Sequence, residues 1–187
     1  TPNPDGNVLV DSAVGSGQAS NSFATAGPYD LATDESIDAG ETQTYFLDVS
    51  AHLSTDVLTG VTNITDCLIG ATGYTSGKGL FNAATVTYGT NDVTVTTNAC
   101  GEVPAFMVID KTFLSASEPD ADGLFLVSYA ITVENTGGST GTYDLSDTPN
   151  PDGNVLVDSA TVSGQASNSF ATAGPYDLAT DESIDAG

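Results

Sequence analysis

Short runs of alternating apolar and polar residues recur along the chain, bounded by Gly, Pro, Asn and Asp, and no segment sustains an apolar period of 3.6 residues. The pattern predicts an all-β protein. Strands are expected at residues 7–12, 42–51, 57–64, 83–88, 93–97, 105–113, 124–135 and 142–146, with 154–160 as a second copy of the first. Within 124–135, Phe125, Val127, Tyr129, Ile131 and Val133 share one face and Ser128, Thr132 and Glu134 the other, as in a half-buried sandwich strand. Turns are expected at Asn150-Pro151-Asp152-Gly153 and its earlier copy from Asn3, at residues 88–92, and at Asn135-Thr136-Gly137-Gly138. Residues 16–38 lack regular alternation and read as a long decorated loop or as short edge strands.

The order of these elements restarts near the end of the chain. Residues 148–187 repeat residues 1–40 at 38 of 40 positions, differing only where Thr161 and Val162 stand in place of Val14 and Gly15. Unrelated segments do not converge to this degree, so the chain reads as one period of 147 residues followed by the opening of the next. A period of that size is enough for one domain with its own core. The expectation is a tandem array that continues past both ends of this sequence.

Composition narrows the partners. Twenty-five acidic residues face two lysines, Lys78 and Lys111, for a formal net charge of −23. Such a surface repels nucleic acid and anionic membranes, and no apolar stretch is long enough for a membrane-spanning helix, so neither nucleic-acid binding nor membrane insertion is expected. With no Arg, one His and no nucleophile motif, a catalytic constellation cannot be assembled, and the chain does not read as an enzyme.

Cys67 and Cys100 are the only cysteines, and His52 cannot complete a zinc site with them. A disulfide is the better reading, against two buried free thiols. On the chain-entropy model it contributes about 3–4 kcal/mol and points to an oxidising, extracytoplasmic setting.

Three stretches, VIDKTFLSAS from Val108, GLFLVSYAITVENTGGSTGTYDLSDTP from Gly123 and NVLVDSA from Asn154, follow one another in a distinctive order. Together with SIDAGETQTYFLDVSAHL from Ser36, and FNAATVTY and NACGEVP later on, they resemble the DUF11-type repeat of prokaryotic surface and pilin-like proteins. The resemblance implies an immunoglobulin-like β-sandwich in tandem repeats. It also implies a repeat boundary near Gly101–Pro104, so that residues 1–102 are the rear two-thirds of one repeat and 103–187 the front of the next.

Alternation places Lys111 with Met107, Ile109 and Phe113 on the apolar face of its strand, where an ammonium needs a partner or a reaction. The resemblance implies one such reaction, an isopeptide bond to an asparagine, with Asn82 as the partner type and Asp147 or Glu134 as the assisting acid. The alternative is a lysine that reaches the sandwich edge or pairs with a carboxylate. Glu118, Asp120 and Asp122 offer oxygen ligands at alternate positions, suited to Ca²⁺ or to a solvated acidic turn, and Asp30, Asp34, Glu35 and Asp38 form a second acidic run. No cofactor is required. Asn63-Ile64-Thr65 is an N-glycosylation sequon.

These readings converge on a secreted or cell-surface structural protein whose partners are its own neighbouring repeats or subunits. The function expected is an extracellular fibre or filament of head-to-tail β-sandwich domains. The alternative is a spacer or stalk domain of a large cell-surface adhesin. A surface row of threonines for glycan or ice binding is a third, weaker reading.

Overall fold

The computed structural model of the chain describes all residues except 18–19, 25–26, 71–72, 165–167 and 172–173. Among the described residues, every strand pairs antiparallel and the one α-helix is a single turn. The all-β expectation holds. Two compact units divide the chain, Thr1–Ser139 with Ala186–Gly187, and Thr140–Asp185.

In the first unit, β1 (Val8–Gly17) is the centre of a three-stranded sheet, flanked by β2 (Asn21–Phe23) and β3 (Tyr45–Leu53). A register shift between Val10 and Ser12 leaves Asp11 as a bulge. The extra residue switches the inward face from Val8 and Val10 to Ala13 and Gly15, so the strand outlasts the simple alternation that suggested its end at Ser12.

Residues 57–64, expected as a strand, instead hold α1 (Thr55–Leu58) and a loop. Ser54 stands at the N-cap with Asp56 in the first turn, and Gly60, at φ 71°, ends the turn. This geometry drives Val57 into the core with Val8, Ile64 and Val103, and Leu53 packs against that cluster. A one-residue plug of this kind has no helical period to reveal it.

The rest of the unit is built of hairpins: β4 (Ile69–Gly70) with β5 (Gly73–Tyr74), β6 (Asn82–Tyr88) with β7 (Val93–Ala99), and β8 (Met107–Ala116) with β9 (Val127–Asn135). The β6–β7 turn uses left-handed backbone at Gly89 and Asp92, as the turn chemistry of residues 88–92 required.

The second unit pairs β10 (Gly141–Asp147) with β13 (Tyr176–Ile184), and β11 (Ala160–Val162) with β12 (Asn168–Phe170). Two expectations fail here. Residues 154–160 do not form a strand up to Ala160, and Tyr176–Ile184, whose first copy lies in the stretch read as a long loop or short edge strands, forms a nine-residue strand.

Candidate functional site

The two copies of the duplicated segment give one sequence in two settings. Both open with the same turn. Asp5 accepts the Val8 N–H on its carbonyl and the Asn7 N–H on Oδ1, and Asp152 does the same for Val155 and Asn154. Neither Gly6 nor Gly153 takes positive φ, so the aspartate side chain rather than glycine sets this turn. Both copies then form the same small hairpin, Ala13–Gly15 on Asn21–Phe23 and Ala160–Val162 on Asn168–Phe170. Phe23 stacks on Tyr29 and Phe170 on Tyr176, each with ring centroids 4.7 Å apart. A cis peptide precedes Pro28 and Pro175, and Asp34 and Asp181 both take positive φ, 56° and 51°.

Beyond these shared features the copies differ by which partner strand is present. In the first copy β3 lies along β1 from Val8 to Gly17, and Val8 is 7% exposed; its counterpart Val155 is 37% exposed and Leu156 is 83% exposed. In the second copy β10 lies along Tyr176–Ile184, burying Tyr176 and Leu178; residues 29–37 form no strand, and Ile37 is 57% exposed. Each copy therefore leaves uncovered the stretch that the other has paired. At the β10–β13 bulge the Asp181 N–H donates to Asp144 Oδ1 at 2.8 Å, so the left-handed residue is held by a side chain of the partner strand.

Asp5 also joins the turn to the remainder of its unit. It is 5% exposed, and its Oδ2 accepts the Thr65 N–H at 3.1 Å. Burial alone pushes its carboxyl up, but the hydrogen bonds from Asn7 and Thr65 together outweigh it and hold the group below the ordinary aspartate range. Asp152, exposed, is lowered by the Asn154 hydrogen bonds.

The Asn135-Thr136-Gly137-Gly138 stretch, expected as a simple loop, is a buried junction. Asn135 Nδ2 donates to the Ser139 carbonyl at 2.8 Å, and its Oδ1 accepts the N–H groups of Phe106 and Gly137. Thr136 Oγ1 donates to the Val57 carbonyl at 3.1 Å, and its own carbonyl accepts the Ile64 N–H. A Cβ on Gly137 would collide with the Pro104 carbonyl oxygen and lie 2.6 Å from Phe106 N, so only glycine fits. Asparagine, threonine and glycine at these positions are explained by this junction.

Cys67 and Cys100 form a disulfide, with Cα atoms 6.0 Å apart. Cys67 Sγ packs against Gly79, where an added Cβ would collide with it, and the Gly79 N–H donates to the Thr65 carbonyl. On β8, Lys111 shares its face with Met107, Ile109 and Phe113, as alternation required, but that face is not buried. Lys111 is exposed with Nζ 4.8 Å from the Tyr129 ring centroid, and Ile109 and Phe113 are exposed beside it. The ammonium lies over a π face on an exposed strand, so of the two readings of Lys111 its placement fits a lysine at the edge of the sheet rather than a desolvated one. Asn82 lies on β6, in a different sheet of the same unit, and Asp147 on β10 pairs with Tyr176.

Among the described residues no group of three His, Cys, Asp or Glu side chains is placed to hold a metal ion. In the stretch holding Glu118, Asp120 and Asp122, Asp120 Oδ1 instead accepts the N–H groups of Asp122 and Leu124, which closes the β8–β9 loop. Asn63 is half-buried, beside the fully buried Ile64. Thr85 and Thr87 face Thr96 and Thr94 across β6–β7, their hydroxyls 3.0 and 3.4 Å apart, a patch of two cross-strand pairs. No helix among the described residues is long and apolar enough to cross a membrane.

Compared with family models, curated proteins and solved structures, the chain matches none.

Proposed function

We propose that the chain is a structural repeat of an extracellular fibre, built from head-to-tail β-sandwich domains of the immunoglobulin-like, DUF11-type class. One observation carries the reading: a segment duplicated at 38 of 40 positions folds alike locally in both copies, yet each copy lacks the partner strand that completes the other. A filament needs one interface at every junction, and near-identity of the junction segment supplies it. The charge of −23 favours an extended, soluble array, because neighbouring units repel except where they pair. The disulfide fits assembly outside the reducing cytoplasm. Self-association is the partner relation proposed, with no catalytic role.

Immunogold labelling with an antibody raised against this chain tests the proposal on native cell-surface material. Label at regular intervals along the full length of long fibres is expected. Label restricted to short stalks of fixed length, each ending in an unlabelled knob, contradicts it and makes the chain a spacer in a surface adhesin.

A further inference from the structure

Residues 1–5, Thr1-Pro2-Asn3-Pro4-Asp5, lie antiparallel along residues 77–83 of the same unit. The N–H groups of Asn3 and Asp5 donate to the Phe81 and Gly79 carbonyls at 2.9 Å, and those of Gly77 and Ala83 donate back to the Asn3 and Thr1 carbonyls at 2.8 and 3.1 Å. Proline at positions 2 and 4 removes a donor only from the side facing away, so the segment loses nothing along this contact. The receiving stretch is not a regular strand. Residues 75–81 form turns, with left-handed backbone at Gly77 and Gly79, φ 77° and 43°.

Such a stretch can receive a partner only if its other side is held. The Gly79 N–H donates to the Thr65 carbonyl and the Leu80 N–H to the Gly101 carbonyl, each at 2.7 Å, so the stretch rests on residues 65–67 and 100–101. The Cys67–Cys100 disulfide joins those two flanks, and Cys67 Sγ packs against Gly79. The Thr65 N–H donates in turn to Asp5 Oδ2 at 3.1 Å, which ties the docked segment to the flank that carries Cys67. We propose that this disulfide is a redox gate: residues 1–5 dock on residues 77–83 when Cys67 and Cys100 are bridged, and come free when the bridge is reduced.

Both cysteines are half-buried, within reach of exchange. A small-molecule or enzyme disulfide closes the bridge. One cysteine thiolate attacks it and releases the first thiol, and the other cysteine displaces the second thiol from the mixed disulfide, so the chain gives up two thiol protons and two electrons to the oxidant. The docked sequence recurs at residues 148–152, directly after β10 ends at Asp147. On the fibre reading, from which this consequence follows, the segment leads from each copy into the next, and its docking waits until the chain has left the reducing cytoplasm.

Hydrogen exchange on the full chain, bridged and as C67S/C100S, tests the gate. Without the bridge the Asn3 and Asp5 amides are expected to exchange like unstructured chain, while the amides of β8–β9 in the same unit stay protected. Protection of Asn3 and Asp5 that survives loss of the bridge overturns the proposal. Loss of protection throughout the unit, β8–β9 included, overturns it as well, because the bridge is then a support of the whole unit and not a gate.

A second variant keeps both cysteines. Asn3→Pro removes the donor to Phe81 and leaves the rest of the segment in place. Coupling between docking and bridging is reciprocal, so weaker docking must make the bridge easier to reduce by the same factor. In a dithiothreitol titration N3P should therefore be reduced at a lower ratio of reduced to oxidised reagent than the parent, with β8–β9 still protected. An unchanged midpoint overturns the gate even if C67S/C100S does not fold. Failure of the gate leaves the fibre reading standing, whereas native material without fibres removes only the consequence for assembly and leaves the gate.

Discussion

Asp5 and Asp152 occupy the same place in the duplicated sequence, so replacing each by alanine compares two environments with the local sequence held constant. Both carboxylates close the same turn, but only Asp5 is buried and only Asp5 reaches Thr65. Asp5→Ala removes the acceptor for the Asn7 N–H at 2.9 Å, the Asn7 side-chain amide at 3.2 Å and the Thr65 N–H at 3.1 Å. Hydrogen bonds to a charged group each contribute about 1.5–3 kcal/mol, and Thr65 is exposed enough to recover water. A net loss of about 2–4 kcal/mol follows, whereas Asp152→Ala at the surface should leave stability close to the parent's. Urea unfolding of the two variants beside the parent protein measures both. The effect also has a pH signature. The folded carboxyl of Asp5 lies below its unfolded value of about 4, so its stabilisation is complete above that pH and is lost as pH falls through the folded value. The gap between parent and D5A should be full near neutrality and narrow in acid. Equal losses for D5A and D152A, or a gap that widens in acid, would refute the reasoning.

Other perturbations probe the remaining supports. Reducing the disulfide, whose cysteines are 33 residues apart in sequence, should lower unfolding free energy by about 3–4 kcal/mol on the chain-entropy model, read from urea curves with and without reductant. Gly137→Ala should cost about 2 kcal/mol or more, because the added methyl meets backbone that a rotamer change cannot relieve; a melting temperature like the parent's would exclude the close approach at Pro104.

Much of the fold was legible where local patterns agree with their partners. The β6–β7 hairpin follows from alternation in residues 82–88 and 93–99 joined by a turn that accepts positive φ at Gly89 and Asp92. The face shared by Lys111, Ile109 and Phe113 on β8 was readable from parity, and the disulfide from having two cysteines with no metal-ligand spacing. What alternation could not give was whether a face is covered: Lys111 stands in solvent beside Tyr129 because burial depends on what packs over a hairpin. Residues 29–37 and Tyr176–Ile184 make the same point more sharply. Their sequence, YDLATDESI, carries three acidic residues and little β propensity, and it is a strand only where β10 lies beside it. Residues 154–160 fail as a strand for the converse reason, since their first copy depends on β3. Val57 was misread because a one-turn helix ended by Gly60 leaves no period. The buried roles of Asn135, Thr136 and Gly137 were invisible for a related reason: they depend on residues distant in sequence, Val57, Ile64 and Pro104.

The central claim is that copies of one repeat join end to end through a single kind of junction. Electron microscopy of native cell-surface material measures this proposal directly as an axial repeat. One sandwich built on strands rising about 3.3 Å per residue gives a spacing of roughly 30–50 Å, uniform along fibres of indefinite length. Rods of fixed length, or filaments whose axial repeat cannot be matched to one 147-residue unit, would contradict it.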